Sequence, residues 1–79
     1  MDEVNVVVLE NGLEYMEIDE LVYNETKYIL LANYKNVKDS CIRKICVKDN
    51  QEYFCKIKDD NELKTVLNLF VEKNKALFN

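Results

Sequence analysis

The last twenty residues of the chain constrain the fold most, because the spacing of apolar residues changes there. Before residue 60 these residues alternate in steps of two, and after it they recur at intervals of three and four. Intervals of three and four place apolar side chains on one face of an α-helix. Asp59 and Glu62 have the spacing of a capping box, and Asp60 adds negative charge at the start of the helix. The pattern predicts an amphipathic helix over residues 60–77, with the apolar residues Leu63, Val66, Leu67, Phe70, Val71 and Leu77.

The preceding residues predict strands joined by polar turns. Asn11-Gly12 lies between apolar runs and predicts a type I′ hairpin turn, in which both central residues have positive φ. Met16 and Ile18 differ in parity from Leu21 and Tyr23, so we expect a β-bulge near residues 19–20. Residues 27–34 are the most apolar stretch and are predicted to form the central strand. The five predicted strands span residues 4–9, 13–23, 27–34, 41–48 and 52–58.

The last hairpin can be joined by either of two loops. A three-residue loop at Asp49-Asn50-Gln51 places Ile45 and Val47 on the face that also carries Tyr53, Cys55 and Ile57. A two-residue loop instead places Val47 opposite Glu52. Because apolar residues favour apolar partners across a sheet, the pattern predicts the three-residue loop.

The predicted fold class is α+β, an antiparallel five-stranded β-meander with one C-terminal amphipathic α-helix packed on the sheet. At 79 residues the chain is predicted to form a single domain over residues 1–79. Its composition, 48% hydrophobic and 33% charged, is typical of globular proteins rather than disordered ones.

The types of residue present argue against catalysis and metal binding. The chain has no histidine, which is the commonest general base near neutral pH and the commonest metal ligand. Cys41, Cys46 and Cys55 lack the close spacing of zinc-binding turns and are predicted to be buried structural thiols. Residues 59–62 are acidic but lack the ligand spacing of a calcium loop. We therefore expect no catalytic, metal-binding or cofactor-binding residues, and a cysteine-dependent enzyme is the least favoured function.

Cysteine number and the start of the chain predict the compartment. Three cysteines are an odd number, which is typical of free, reduced thiols. Met1-Asp2-Glu3 is acidic, and the apolar run that follows it is too short for a signal peptide or a membrane span. The sequence therefore predicts a cytoplasmic protein with no membrane partner.

Charge is divided unevenly and suggests two candidate surfaces. Residues 1–34 have a net charge of −7, and residues 35–58 have a net charge of +4. An acidic surface over residues 10–25 would suit a nucleic-acid mimic or an inhibitor. Basic side chains around an aromatic in the hairpin of residues 41–58 would suit single-stranded nucleic acid. The possible interaction surface of this hairpin consists of Lys44, Lys48, Phe54, Lys56 and Lys58.

Five segments carry a family resemblance: residues 12–18, 27–31, 52–57, 60–63 and 66–70. In this order and spacing they resemble the YrzB-like family, small bacterial proteins of unknown function, and the resemblance covers residues 4–78. Its motifs are a turn, a Lys-Tyr strand and a capped final helix, so it implies no activity, cofactor or site residues. The chain departs from the family pattern at Lys35 and Lys38, where members are more acidic, and at Leu63, where members often have an aromatic.

The leading hypothesis is a non-enzymatic protein-interaction module whose sheet face or edge contacts another protein. Small meanders leave their edge strands unpaired, so the partner could also be a second copy of the chain, bound through a sheet edge. Nucleic acid is a less favoured partner because the whole chain is acidic, with a net charge of −4.

Overall fold

Five antiparallel strands follow one another along the chain, and each pairs with the next. The computed structural model describes residues 5–75, so Val4 of the first predicted strand and Leu77 of the predicted helix lie outside the described residues. The sheet order is β1-β2-β3-β4-β5, which confirms the predicted α+β meander with its C-terminal helix. The elements are β1 (Val6–Val8), β2 (Glu14–Tyr23), β3 (Thr26–Asn33), β4 (Ser40–Lys48), β5 (Gln51–Lys56) and α1 (Asp60–Lys73).

The central strand β3 supplies buried side chains to both faces of the sheet. Tyr28 and Ala32 lie on one face, and Ile29 and Leu31 lie on the other, and all four are buried. This two-sided burial explains why β3 is the most apolar stretch of the chain. The prediction of a central strand is confirmed, and the strand is covered on both faces.

Each face of the sheet has its own apolar cluster. The face under the helix, here called the outer face, carries Tyr28, Ile42, Val66 and Phe70 as its buried cluster. The opposite face, here called the inner face, carries Leu9, Tyr15, Ile29 and Leu31. The sheet curls around this inner cluster, so that residues of the first hairpin pack with Ile45 and Phe54 of the last hairpin.

A β-bulge shifts the register of β2. The pairing with β3 steps from Glu17–Leu31 to Asp19–Leu30, which leaves Ile18 as the extra residue. The bulge lies one residue before the predicted position, and it returns Leu21 to the outer face, where it packs on the helix cluster. The extra residue itself is exposed.

The tight turns differ in type from the predicted one. Gly12 has φ +79°, but Asn11 does not have positive φ, and Leu9 donates to the carbonyl of Leu13 at 3.1 Å. The first hairpin therefore has a three-residue loop closed by a glycine, and the predicted type I′ turn there is wrong. Both central residues have positive φ in the two hairpins with two-residue turns, at residues 24–25 and 49–50. Asparagine and aspartate tolerate this left-handed conformation and occupy three of those four positions.

The helix begins at a capped N-terminus, although the cap is not a capping box. The Oδ1 atom of Asp59 accepts a hydrogen bond from the backbone N–H of Asn61 at 2.9 Å, as an N-cap residue does. Glu62 does not return to the cap. Its carboxylate instead accepts a hydrogen bond from the Tyr28 hydroxyl at 2.5 Å, which attaches the first turn of the helix to the centre of the sheet.

The other end of the helix is attached to β2 through Asp19. Lys73 Nζ and Asn74 Nδ2 each donate to this carboxylate at 2.8 Å, and Lys73 also donates to the carbonyl of Glu20. Burial alone would raise the pKa of Asp19, but these hydrogen bonds outweigh it and hold the pKa below its usual value. Lys73, the basic residue in the last turn of the helix, thus makes a specific contact with the sheet.

Only part of the predicted apolar stripe is buried. Val66 and Phe70 are buried against Tyr28 and Ile42, whereas Leu67 is 48% exposed and Leu63 and Val71 are also exposed. The helix therefore contacts the sheet along a narrower line than its sequence pattern suggests. Within residues 5–75, no helix is long and apolar enough to cross a membrane.

The difference in burial along the helix predicts a difference in mutational cost. Phe70→Ala removes a buried ring and should lower the free energy of unfolding by about 3–5 kcal/mol. Leu67→Ala removes a half-exposed side chain and should cost less than about 1.5 kcal/mol. Urea denaturation followed by circular dichroism measures both. Equal costs for the two variants would contradict this packing of the helix.

Candidate protein-interaction site

The last hairpin has the shorter of the two possible loops. Lys48 pairs with Gln51 and Val47 pairs with Glu52, across a two-residue turn at Asp49-Asn50. Both turn residues have positive φ, 53° and 65°, as a type I′ turn requires. The prediction of a three-residue loop is wrong, because the local geometry of the turn outweighs the apolar match of Val47, whose side chain is exposed.

This register divides the predicted interaction surface between the two faces of the sheet. Residues directly opposite one another share a face, so Lys44 and Lys48 lie on the outer face with Cys55 and Gln51. Phe54 and Lys56 lie on the inner face, opposite Ile45 and Arg43. Phe54 is partly buried and packs against the inner cluster, so it is not an open platform for stacking a base. The five residues therefore do not form a single face.

Four of the five nevertheless lie close together at the edge of β5 that faces away from β4, here called its outer edge. An open groove of about 670 Å³ runs along this edge, and Lys48 is the member of the predicted set that does not line it. The groove contains three lysines and three carboxylates, so its formal charge is balanced. Its lining consists of Glu10, Lys44, Phe54, Cys55, Lys56, Lys58, Asp59 and Glu62.

Ion pairs neutralise two of the groove lysines. Lys44 Nζ lies 3.5 Å from Glu62 Oε2, and Lys56 Nζ lies 3.4 Å from Glu10 Oε1. The same Glu10 oxygen lies 2.9 Å from a guanidinium nitrogen of Arg43. A hydrogen bond from its own backbone and the contact with Arg43 hold the pKa of Glu10 below its usual value, which keeps it charged at neutral pH. Phosphate groups would find little excess positive charge here.

The backbone of β5 is the other component of the site. In the two-residue turn Lys48 and Gln51 are a hydrogen-bonded pair, and such pairs alternate with non-hydrogen-bonded pairs along an antiparallel ladder. Tyr53 and Cys55 therefore bond to β4. Glu52, Phe54 and Lys56 direct their N–H and C=O groups away from β4, and Phe54 and Lys56 also line the groove. In the described part of the chain, no other backbone segment pairs with these three residues.

A hydrogen-bonded cluster supports the wall of the groove. The Tyr28 hydroxyl donates to Glu62 Oε2 at 2.5 Å, and Lys44 stands opposite Tyr28 in the sheet. Burial, together with this hydrogen bond to a carboxylate, raises the pKa of Tyr28 to about 12. The cluster connects β3, β4 and α1, so the wall is held by three elements.

The raised pKa of Tyr28 predicts an alkaline loss of stability. The tyrosine binds its proton more tightly in the folded state, so its contribution is complete below about pH 10, the usual tyrosine pKa, and is lost as pH rises through about 12. Absorbance titration at 295 nm should contain a tyrosinate transition near 12 that Tyr28→Phe removes. Tyr53→Phe, on an exposed side chain, is the control and should keep that transition. A Tyr28 transition near 10 would contradict the assignment.

The three cysteines are partly buried, whereas the sequence predicts fully buried thiols. Cys41 lies on the inner face, and Cys46 and Cys55 lie diagonally across the outer face of the last hairpin. Burial raises the pKa of the Cys41 thiol. The pKa of Cys46 is raised mainly by a hydrogen bond with Cys55 and, to a smaller extent, by burial. A raised pKa lowers the fraction of reactive thiolate. Within residues 5–75, no three cysteine or carboxylate side chains lie close enough together to hold a metal ion.

The thiol environment predicts slow alkylation. Cys41 and Cys46 should react with iodoacetamide at pH 7.5 more slowly than free cysteine, because less of each is ionised. Mass spectrometry of tryptic peptides over time measures each site, and the urea-unfolded chain is the control that restores the free-thiol rate. A folded-state rate above that of free cysteine would favour a nucleophilic cysteine instead.

The acidic residues of the first hairpins do not gather into one surface. Glu10 pairs with Arg43, Glu20 pairs with Lys27 at 2.8 Å, and Asp19 is occupied by the end of the helix. Glu14 lies on the outer face and Glu17 on the inner face, as their pairing partners Val8 and Leu31 require, while Glu25 lies in a turn. Within the described residues, three of these acids, Glu10, Asp19 and Glu20, are therefore paired inside the fold.

Sequence patterns alone missed Glu52 and the role of the β5 backbone. Both depend on the register of the hairpin, which fixes the backbone groups that face outward. The pair Asp49-Asn50 could have predicted this register, because these residue types accept positive φ and so favour a two-residue turn.

The chain was compared with protein families, curated proteins and solved structures. No family model, no curated protein and no solved structure matches the chain.

Proposed function

We propose that this protein is a non-enzymatic protein-interaction module that binds an extended segment of a partner protein along the outer edge of β5. The observation that carries the proposal is the set of outward backbone groups of Glu52, Phe54 and Lys56, which have no backbone partner in the described residues. An exposed sheet edge binds an extended segment through main-chain hydrogen bonds, as in β-strand addition.

The edge lacks the backbone devices that protect sheet edges from pairing, although Glu52 and Lys56 place charges on its inner face. β5 contains no proline and no bulge, and its register with β4 is regular over all six residues. By comparison, the described part of β1, at the other edge, has three residues and offers fewer hydrogen bonds than the six residues of β5. β5 is therefore the better edge for a partner strand.

The charges of the groove favour a protein segment over a nucleic acid. The groove contains three lysines and three carboxylates, and a segment with charges of both signs complements them. Single-stranded nucleic acid binding and nucleic-acid mimicry remain hypotheses, and the ion pairs of Lys44, Lys56 and Glu10 count against both.

The weak ionisation of Cys41 and Cys46 supports a role without catalysis. Three free thiols agree with a reducing, cytoplasmic location, which is part of the proposal. The similarity to the YrzB-like family stays a prediction.

A proline at an outward position tests the proposal. Glu52→Pro removes an N–H that points away from β4, and an edge strand tolerates proline at such a position. The variant should keep its circular dichroism spectrum but should lose the proteins that wild type retains in affinity capture from its own cells. Glu52→Ala is the matched control, because it removes the side chain and keeps the N–H, and should retain more of these proteins than Glu52→Pro does.

Hydrogen exchange of individual backbone amides gives a second measurement. In the free protein the N–H groups of Glu52, Phe54 and Lys56 should exchange with solvent faster than those of Tyr53 and Cys55, and they should be protected in the captured complex. Equal capture by Glu52→Pro and wild type would refute binding at this edge.

A further inference from the structure

We propose that the segment added to β5 is β5 of a second copy, so that the protein forms a two-fold symmetric dimer with Phe54 opposite Phe54 of the partner subunit. This inference rests on the proposed function and names the partner. It follows from the alternation of outward backbone groups together with the order of charges along the strand.

The backbone fixes which registers are possible. Only Glu52, Phe54 and Lys56 present hydrogen-bonding groups outward, and an antiparallel partner must match such residues with its own. Pairing centred on Phe54 matches all three residues of each copy and makes about six backbone hydrogen bonds. A shift by one residue matches none of them, and a shift by two residues leaves an outward residue of the strand without its counterpart.

The side chains favour the same register. In the pairing centred on Phe54, Glu52 of each copy stands opposite Lys56 of the other, on the inner face. Two ion pairs therefore form, related by the two-fold axis. The two Phe54 rings meet between these ion pairs, and on the outer face Tyr53, which is 46% exposed, stands opposite Cys55 of the other copy. Charge complementarity thus selects a second copy among possible strands.

Lys56 can change partners without leaving a carboxylate unpaired. Its side chain is 65% exposed and lies 3.4 Å from Glu10, which keeps a closer contact of 2.9 Å with Arg43. When Lys56 turns to Glu52 of the other copy, Arg43 still neutralises Glu10. The intramolecular pair therefore opposes the dimer only weakly.

The symmetry also ends the assembly at two copies. A two-fold contact uses the same edge of both subunits, so each β5 is consumed once. The remaining edges are the β1 strands, whose described part has three residues in each subunit and offers fewer groups than β5 for a second contact of this kind. The product is one continuous ten-stranded sheet with a helix on each half.

Charge reversal on the purified full-length protein tests the register. Sedimentation equilibrium over a range of concentrations should show a monomer–dimer equilibrium for wild type. Glu52→Lys and Lys56→Glu each create two like-charge contacts and should raise the dimer Kd at least about tenfold. The double variant Glu52→Lys/Lys56→Glu restores both pairs with exchanged sign and should return the Kd to within about threefold of wild type.

Two controls show whether a weaker dimer comes from lost strand pairing or from a changed subunit. Glu10→Gln removes the competing intramolecular pair and should leave the dimer Kd unchanged or lower it. Glu52→Pro should abolish the dimer while circular dichroism remains that of the folded protein. Thermal unfolding of every variant checks that a lost dimer is not a lost fold.

The outcomes distinguish the two proposals. A wild-type protein that stays monomeric at every concentration, or a double variant that fails to recover the dimer, overturns self-pairing. If Glu52→Pro still loses captured proteins in that case, binding at the β5 edge stands with a different partner. If Glu52→Pro changes neither the dimer nor the captured proteins, both proposals fall.

Discussion

The type I′ turn at Asp49-Asn50 is the constraint on which the rest of the candidate site depends. Two residues with positive φ join β4 to β5 and so fix which residues of the hairpin stand opposite one another. That register places Phe54 and Lys56 on the inner face and Lys44 on the outer face. It also decides that Glu52, Phe54 and Lys56 direct their backbone groups outward. One local backbone geometry thus determines the faces, the groove and the edge that a partner strand can reach.

The two faces of the sheet are stabilised in different ways. The inner face is closed by curling, which brings Leu9 and Tyr15 of the first hairpin into one cluster with Ile29 and Leu31. The outer face is closed by the helix, which buries Val66 and Phe70 and is attached at both ends by polar contacts. A chain of this size has little apolar surface to spare, so polar attachments at the helix ends supplement a narrow apolar contact.

Most of the fold could be predicted from the sequence because it depends on patterns of apolar residues that repeat over many positions. The alternation of apolar residues indicated the strands, and the change of spacing at residue 60 indicated the helix. The candidate site was predicted poorly because it depends on one residue of register, and the apolar match of Val47 pointed to the wrong loop. The hydrogen bond between Glu62 and Tyr28 was also not predicted. A glutamate three residues after an aspartate is already explained by a capping box at the start of a helix. Contacts between residues 34 positions apart leave no such local trace.

The order of pairing has a consequence for how the chain closes on itself. Every strand pairs with its neighbour in sequence, so each hairpin closes a short loop and loses little chain entropy. The contact of Lys73 with Asp19 instead spans 54 residues and joins the last element to the second. The fold thus combines local hairpin closures with two long-range ones, in which the helix packs on the strands and the first hairpin meets the last. The helix thereby makes a series of hairpins into a cooperative unit.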